Sequence, residues 1–130
     1  MKVSVVIPTR NRSALVAQAI ECIESQTVSA DQYEVIVVDN DSSDDTRAVL
    51  GKKTGMYSNL KYGIQEKRGA AATRNAGLRM ARGELILFID DDVQAEPDLI
   101  RSHLEYQRQN PGASVIGAVT IPSTSPAVAI

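Results

Sequence analysis

Three carboxylates in a row, Asp90, Asp91 and Asp92, follow the apolar stretch "ELILFI" (Glu84 to Ile89). At about 4 Å, two unit charges repel by about 1 kcal/mol in water and by several times that in a partly dry cleft. Such a cluster calls for a positive counterpart. Hard divalent ions such as Mg²⁺ and Mn²⁺ favour carboxylate, water and phosphate oxygens and often take only one or two side chains. An ion bridging this acidic turn to a phosphorylated ligand is therefore the chemistry that the triplet points to. Two further polar groups occupy the same setting. Pro8, Thr9, Arg10 and Asn11 follow "VSVVI" (Val3 to Ile7), and Asp39, Asn40, Asp41 and Ser42 follow "YEVIVV" (Tyr33 to Val38). The turn "PTRNRS" holds no glycine, so neither a dinucleotide fingerprint nor a P-loop is present, and phosphates must be held by metal and arginine.

Only a fold that collects distant strand ends on one rim brings these groups together. The runs just quoted, with "LKYGI" (Leu60 to Ile64) and "ASVIGAV" (Ala113 to Val119), are strand candidates. Near-continuous hydrophobicity in "VSVVI", "YEVIVV" and "ELILFI" predicts strands covered on both faces, as in parallel sheets. Between them, Leu15, Val16, Ala19, Ile20 and Ile23 form one apolar stripe over Ser13 to Ser25. Asp44 to Lys53 is a short helix, with Ser42 and Asp45 spaced as in a capping box. Ala70 to Ala81 is a helix closed by Gly83, and Pro97 opens another that runs to about Gln109. The order β-α-β-α-β-α-β-α-β predicts a three-layer α/β/α, Rossmann-like and mostly parallel sheet with right-handed crossovers. In such a sheet ligands bind outside the carboxyl ends of the strands, where strand order reverses.

Each signal has a structural competitor. Asp91 or Asp92 would also neutralise the positive end of the helix beginning at Pro97. Ser42, Ser43 and Asp44 are good turn and cap residues, and Arg74 suits an exposed helix face. His103, the only histidine, reads as packing or surface.

The 130 residues, 43% hydrophobic, suffice for one packed domain, and a net charge of −2 gives no strong field toward nucleic acid or an anionic membrane. A basic stretch, Lys67, Arg68, Arg74, Arg79 and Arg82, lies between two acidic ones. The single cysteine, Cys22, excludes an internal disulfide, and the N-terminal apolar run is too short for a secretory core or a membrane span. A cytoplasmic location, or the cytoplasmic face of the membrane, is expected.

Taken together, "VSVVIPTRNR", "VIVVDNDSSDDT", "AAATRNAGLRMARGELILFIDDD" and the Pro97-Asp98 beyond them closely resemble the N-terminal half of glycosyltransferase family 2, enzymes of the GT-A fold. The resemblance runs from about Lys2 to Val119. It implies a nucleotide-diphospho-sugar donor, UDP- or dTDP-linked, a Mg²⁺ or Mn²⁺ ion, and transfer with inversion to a hydroxyl of an unknown glycan, lipid or polyketide-like acceptor. Pro8, Thr9, Arg10 and Asn11 inherit contacts to the nucleoside, and Asp39 and Asn40 those to the base. Asn40 stands where the family carries a second acid, which loosens the choice of base. Arg74 matches a basic position near the donor. The DXD motif falls on Asp90-Asp91-Asp92, with Asp92 first and Asp91 second as metal ligands, Asp91 also on ribose, and Asp90 partly structural. The catalytic base is expected in a C-terminal half beyond this chain. Residues 1–121 are thus expected to form the donor-binding subdomain, with 122–130 beginning a connection. Apolar surface near Val115 to Ile121 would then be uncovered and favour homo-oligomers. Rival readings are a nucleotide-binding or self-associating fragment without turnover and, further off, a phosphoacceptor receiver domain, whose acidic pair follows its first strand.

Overall fold

The computed structural model describes residues 1–114, together with the backbone of 118–119 and 128–129. Four strands, β1 (Val3–Thr9), β2 (Tyr33–Asp39), β3 (Leu60–Ile64) and β4 (Leu85–Phe88), form one parallel sheet in the order β3-β2-β1-β4. β1 pairs with β2 from Val3↔Tyr33 to Thr9↔Asp39, and with β4 from Val3↔Leu85 to Val6↔Phe88. The chain therefore builds outward from β1 to β3, then crosses back to place β4 on the other side of β1. That reversal lies between β1 and β4, beside the acidic triplet.

Helices α1 (Ser13–Glu24), α2 (Thr46–Met56) and α3 (Ala70–Met80) clothe the sheet, and α4 (Leu99–Gln109) follows β4. Val6, Ile36 and Val38 form a buried cluster against which Ala76, Met80, Ala81 and Ile86 pack, so α3 covers that face. The alternating residues Val5, Ile7, Val35 and Val37 are equally buried. By strand alternation they point the other way, toward the stripe Val16, Ala19, Ile20 and Ile23 of α1 and Leu50 of α2. Each such aliphatic side chain contributes roughly 1.5–3 kcal/mol through burial.

Residues Met1–Ile100 make one compact unit carrying this sheet and α1 to α3. A second unit, Arg101–Ile130, carries most of α4 and a short antiparallel pair, β5 (Ala118–Val119) with β6 (Val128–Ala129). The expected fifth parallel strand is corrected at both ends: Ala113 and Ser114 are not in a strand, and Ala118–Val119 pairs antiparallel. Residues 115–117 and the expected boundary at 121 lie outside the described residues. Among the described residues, no helix is long and apolar enough to cross a membrane.

Local corrections have local causes. Leu15 is 41% exposed, because the buried stripe of α1 starts one residue later. β4 is half-buried instead of covered on both faces, since it is an edge of the described sheet. The capping box does not form. Asp44 Oδ1 instead accepts from the Thr46 amide (3.0 Å) and hydroxyl (2.5 Å), and α2 starts at Thr46. Pro97 precedes α4, because its carbonyl accepts from the Thr27 amide (2.9 Å) while Gln26 bonds Glu96 O and Ile100 N.

Gly77 marks where α3 meets β1, since a Cβ there would stand 2.4 Å from Val6 Cγ1. Gly77→Ala gains about 1 kcal/mol of helix propensity. Overpacking a fully buried valine costs about 1–3 kcal/mol. Crowding wins, and a lower urea midpoint with an unchanged slope is expected; a raised midpoint would show that the two elements slide apart freely.

Candidate functional site

The carboxyl ends of β1, β2 and β4 meet as the topology requires. Thr9, the last residue of β1, donates its hydroxyl to Asp91 Oδ2 at 2.8 Å, across 82 residues of sequence. Arg12 Nη1 reaches the other oxygen, Asp91 Oδ1, at 3.1 Å. Arg12 occupies the N-cap position of α1 without capping it, so its side chain is spent on this link. Asp91 is buried, and both of its oxygens are engaged. Asp90 and Asp92, its neighbours, are exposed, and among the described residues no hydrogen bond or ion pair engages either carboxylate.

The turns after β1 and β2 are joined by asparagine. Asn11 has a positive φ of 52°, a conformation that Asn tolerates better than most residues. Its Oδ1 accepts from the amides of Ser43 (2.7 Å) and Asp44 (3.2 Å), and its own amide donates to Ser42 Oγ at 2.9 Å. Asp39 is fully buried. Its Oδ1 accepts from the Ser42 hydroxyl, and its Oδ2 from Arg47 Nε at 2.8 Å. Asn40 is held by the segment before α3: Nδ2 donates to the carbonyls of Gln65 and Lys67, both at 2.9 Å. The Gly69 amide donates to Asn40 Oδ1 at 3.2 Å.

A cleft of about 290 Å³ opens between these loops. Pro8, Thr9, Arg10 and Arg12 line it from β1 and its turn, Asp91 from the acidic turn, Asn40 from just after β2, and Ala70 and Thr73 from the first turn of α3. Arg10 Nε is buried there with no hydrogen-bond partner among the described residues. A buried donor on a cation without an acceptor is costly, and an anionic ligand would relieve it. A larger, shallow depression of about 510 Å³ lies on α4, but Arg101, Ser102, Glu105, Tyr106 and Gln109 all come from one helix. It lacks the convergence of separate strand ends.

Of the residues picked out in the sequence, Pro8, Thr9, Arg10, Asn40 and Asp91 line the cleft. Asn11, in the turn after β1, and Asp39, the last residue of β2, lie beside it, tied to protein partners. Arg74 is exposed on α3 and does not line the cleft; Thr73, one residue earlier, does. Sequence reading missed Arg12, Arg47 and Thr73. Thr73 had a faint signal, being the one hydroxyl on an alanine-rich turn.

The donor set can be tested against a divalent ion. Among the described residues no three acidic, histidine or cysteine side chains are grouped to hold a metal. Mg²⁺ and Mn²⁺ do not require such a cage, because one or two carboxylates and phosphate oxygens complete their shell. Asp91 lines the cleft and keeps a lone pair on each oxygen beside its bonds to Thr9 and Arg12, whereas Asp90 and Asp92, with unengaged oxygens, do not line it. These carboxylates alone would not complete such a shell; phosphate oxygens of a ligand would supply the rest.

The cleft at the β1/β4 reversal stands where open α/β sheets bind their ligands. Solved structures of GT-A glycosyltransferases are similar in fold. TarS of S. aureus, in complex with UDP-GlcNAc, matches with a TM-score of 0.74 and 26% identity over 88% of this chain and 37% of that one. The mannosyltransferase PcManGT of Pyrobaculum calidifontis, in complex with GDP-Man and Mn²⁺, gives 0.76 and 27% over 90% and 34%. Validoxylamine A glucosyltransferase of Streptomyces hygroscopicus subsp. jinggangensis is 39% identical over 103 residues, 78% of this chain and 24% of that protein. The family model for glycosyl transferase family 2 matches residues 4–127, and the chain belongs to that family. It spans about a quarter of the glucosyltransferase and just over a third of each of the two solved chains.

Proposed function

We propose that this chain is the donor-binding part of an inverting glycosyltransferase that takes a sugar from a UDP- or dTDP-linked donor to an acceptor hydroxyl. The observation that carries the reading is the cleft at the strand reversal, where Asp91 is fixed by Thr9 and Arg12 and the buried Nε of Arg10 has no partner among the described residues. The complexes of TarS with UDP-GlcNAc and of PcManGT with GDP-Man and Mn²⁺ support it. Because those two relatives bind different bases, the base here is a matter for experiment.

In this reading Thr9 and Arg12 hold the acidic turn so that its orientation is set before the donor arrives, and Arg10 offers its free donor to an anionic oxygen. Asp92 and Asp91 would hold Mg²⁺ or Mn²⁺. A divalent ion there offsets the negative charge that builds on a departing nucleoside diphosphate. Inverting transfer also requires a carboxylate to take the acceptor's proton from the opposite face. We place that base, and the glycan, lipid or polyketide-like acceptor, in the part of the family's length outside this chain, and the reaction at or near the cytoplasmic face of a membrane.

Calorimetry with UDP, dTDP and GDP, each with and without Mn²⁺, tests the proposal. Binding of a pyrimidine nucleotide that depends on Mn²⁺ is expected. Asp92→Asn should weaken it roughly 10–100-fold, the equivalent of about 1.5–3 kcal/mol for one charged interaction. Binding indifferent to metal and to Asp92, or no binding to the native chain, would overturn it.

A further inference from the structure

We infer that Asn40 is a positioning residue: its side-chain amide clamps the 65–69 segment and the start of α3 against the cleft, and is not free to read the nucleobase. The inference rests on the nucleotide-binding reading above and adds how the wall of that site is held. Asn40 follows β2 directly and is buried. Both amide hydrogens are consumed, by the carbonyls of Gln65 and Lys67 at 2.9 Å each. Its oxygen is occupied by the Gly69 amide at 3.2 Å. The backbone joins in, with Gln65 N donating to Asp39 O at 2.8 Å and Asn40 N to Thr9 O at 2.9 Å.

The orientation of the amide follows from its partners. Two carbonyls require two donors and one N–H requires an acceptor, which only the NH₂ and oxygen of an amide supply together. A carboxylate would leave both carbonyls without donors and set like partial charges against each other. The segment held by the clamp matters to the cleft. Gly69 has a positive φ of 133°, reached readily only by glycine, and its carbonyl accepts from both the amide (3.1 Å) and the hydroxyl (2.7 Å) of Thr73. Thr73 and Ala70 are the α3 residues that line the cleft. Asn40 thus acts on the ligand through the loop and the helix start. The acid-to-amide difference at this position changes how that wall is built, and the base edge falls to backbone groups and other side chains.

The test uses the native chain, Asn40→Asp and Asn40→Ala, and reads two quantities. The first is amide exchange of residues 65–73 in the protein without nucleotide: Gly69 should exchange about tenfold faster in Asn40→Ala, as expected for loss of one net hydrogen bond, and the segment should also exchange faster in Asn40→Asp, whose carboxylate has no donor for the Gln65 and Lys67 carbonyls. The second is the affinity for UDP, dTDP, CDP and GDP, which should fall by a similar factor for every nucleotide that the native chain binds. Native-like exchange in the alanine variant would overturn the clamp. So would a loss confined to one base, or an inverted preference between UDP and CDP, since either marks direct readout by the side chain. If the native chain binds no nucleotide, the donor-site reading fails while the exchange measurement still decides the clamp.

Discussion

Asp91→Ala is expected to abolish measurable nucleotide binding, at least a hundredfold loss, and to lower stability by about 2–4 kcal/mol. The two effects have separate causes. On the stability side, a buried hydrogen bond to a charged group is worth about 1.5–3 kcal/mol, and the Thr9 hydroxyl would be left beside a cavity. The Arg12 pair adds little, about 0–1 kcal/mol, because the Arg12 side chain is 52% exposed. On the binding side, the acidic turn loses its anchors to Thr9 and Arg12, so Asp90 and Asp92 lose their fixed positions. Asp91→Asn separates the causes. An amide still accepts from Thr9 but carries no charge for Arg12, so most of the stability should remain. Binding should still fall roughly tenfold, the size of one charge-assisted interaction. Urea midpoints and calorimetry on the two variants are the measurements. An asparagine variant that binds as tightly as the native chain would show that the charge on Asp91 plays no part in the site.

The strand ends that form this site were legible because parallel strands announce themselves as continuous apolar runs, and the residues after each run must emerge on the same edge. Thr9, Arg10 and Asp91 were found that way. Arg12 was not, because "RNR" offers two arginines two residues apart and nothing local says which one turns toward an acid 79 residues away. Arg47 was missed for the same reason: its partner Asp39 lies outside its own helix, so helical spacing carries no trace of the pair. Arg74 is the reverse case. The motif "ATRNAG" pointed to a basic residue near the ligand, yet the face of α3 that meets the cleft is set by packing against β1, and Thr73 occupies it. The start of α2 was misplaced because Ser42 and Asp45 had the spacing of a capping box, while in three dimensions Ser42 serves Asp39 and Asn11. Tertiary demand for the Ser42 hydroxyl outweighed a local cap.

At the opposite edge of the sheet, two carboxylates should shape stability against pH with opposite signs. Glu34, on β2, is 4% exposed. Burial alone would raise its pKa. The Ser4 hydroxyl (2.6 Å), the Arg82 amide (2.7 Å) and Lys61 Nζ (2.9 Å) together outweigh that and hold it below the ordinary 4.5. A depressed folded value means stabilisation present in full above about 4.5 and lost as pH falls through the folded value. Glu24, at the end of α1, is the converse. Burial pushes it up to about 7, a hydrogen bond with Asn59 offsets only part of this, and Oε1 has no partner among the described residues. Its native state holds the proton more tightly than the unfolded chain, so stability declines as pH rises from about 4.5 through about 7. Glu34→Gln should therefore cost on the order of 2 kcal/mol at neutral pH, because an amide sets its own N–H against one of the three donors, and should flatten the acid limb. Glu24→Gln should flatten the other limb and gain on the order of 1 kcal/mol near pH 8, well under the full shift because the group keeps some contact with water. Urea midpoints from about pH 4 to 9 would show both limbs. If Glu24→Gln leaves the slope between about pH 5 and 8 unchanged, the buried carboxylate is not what titrates there; if Glu34→Gln is as stable as the native chain, the three donors do not depend on its charge.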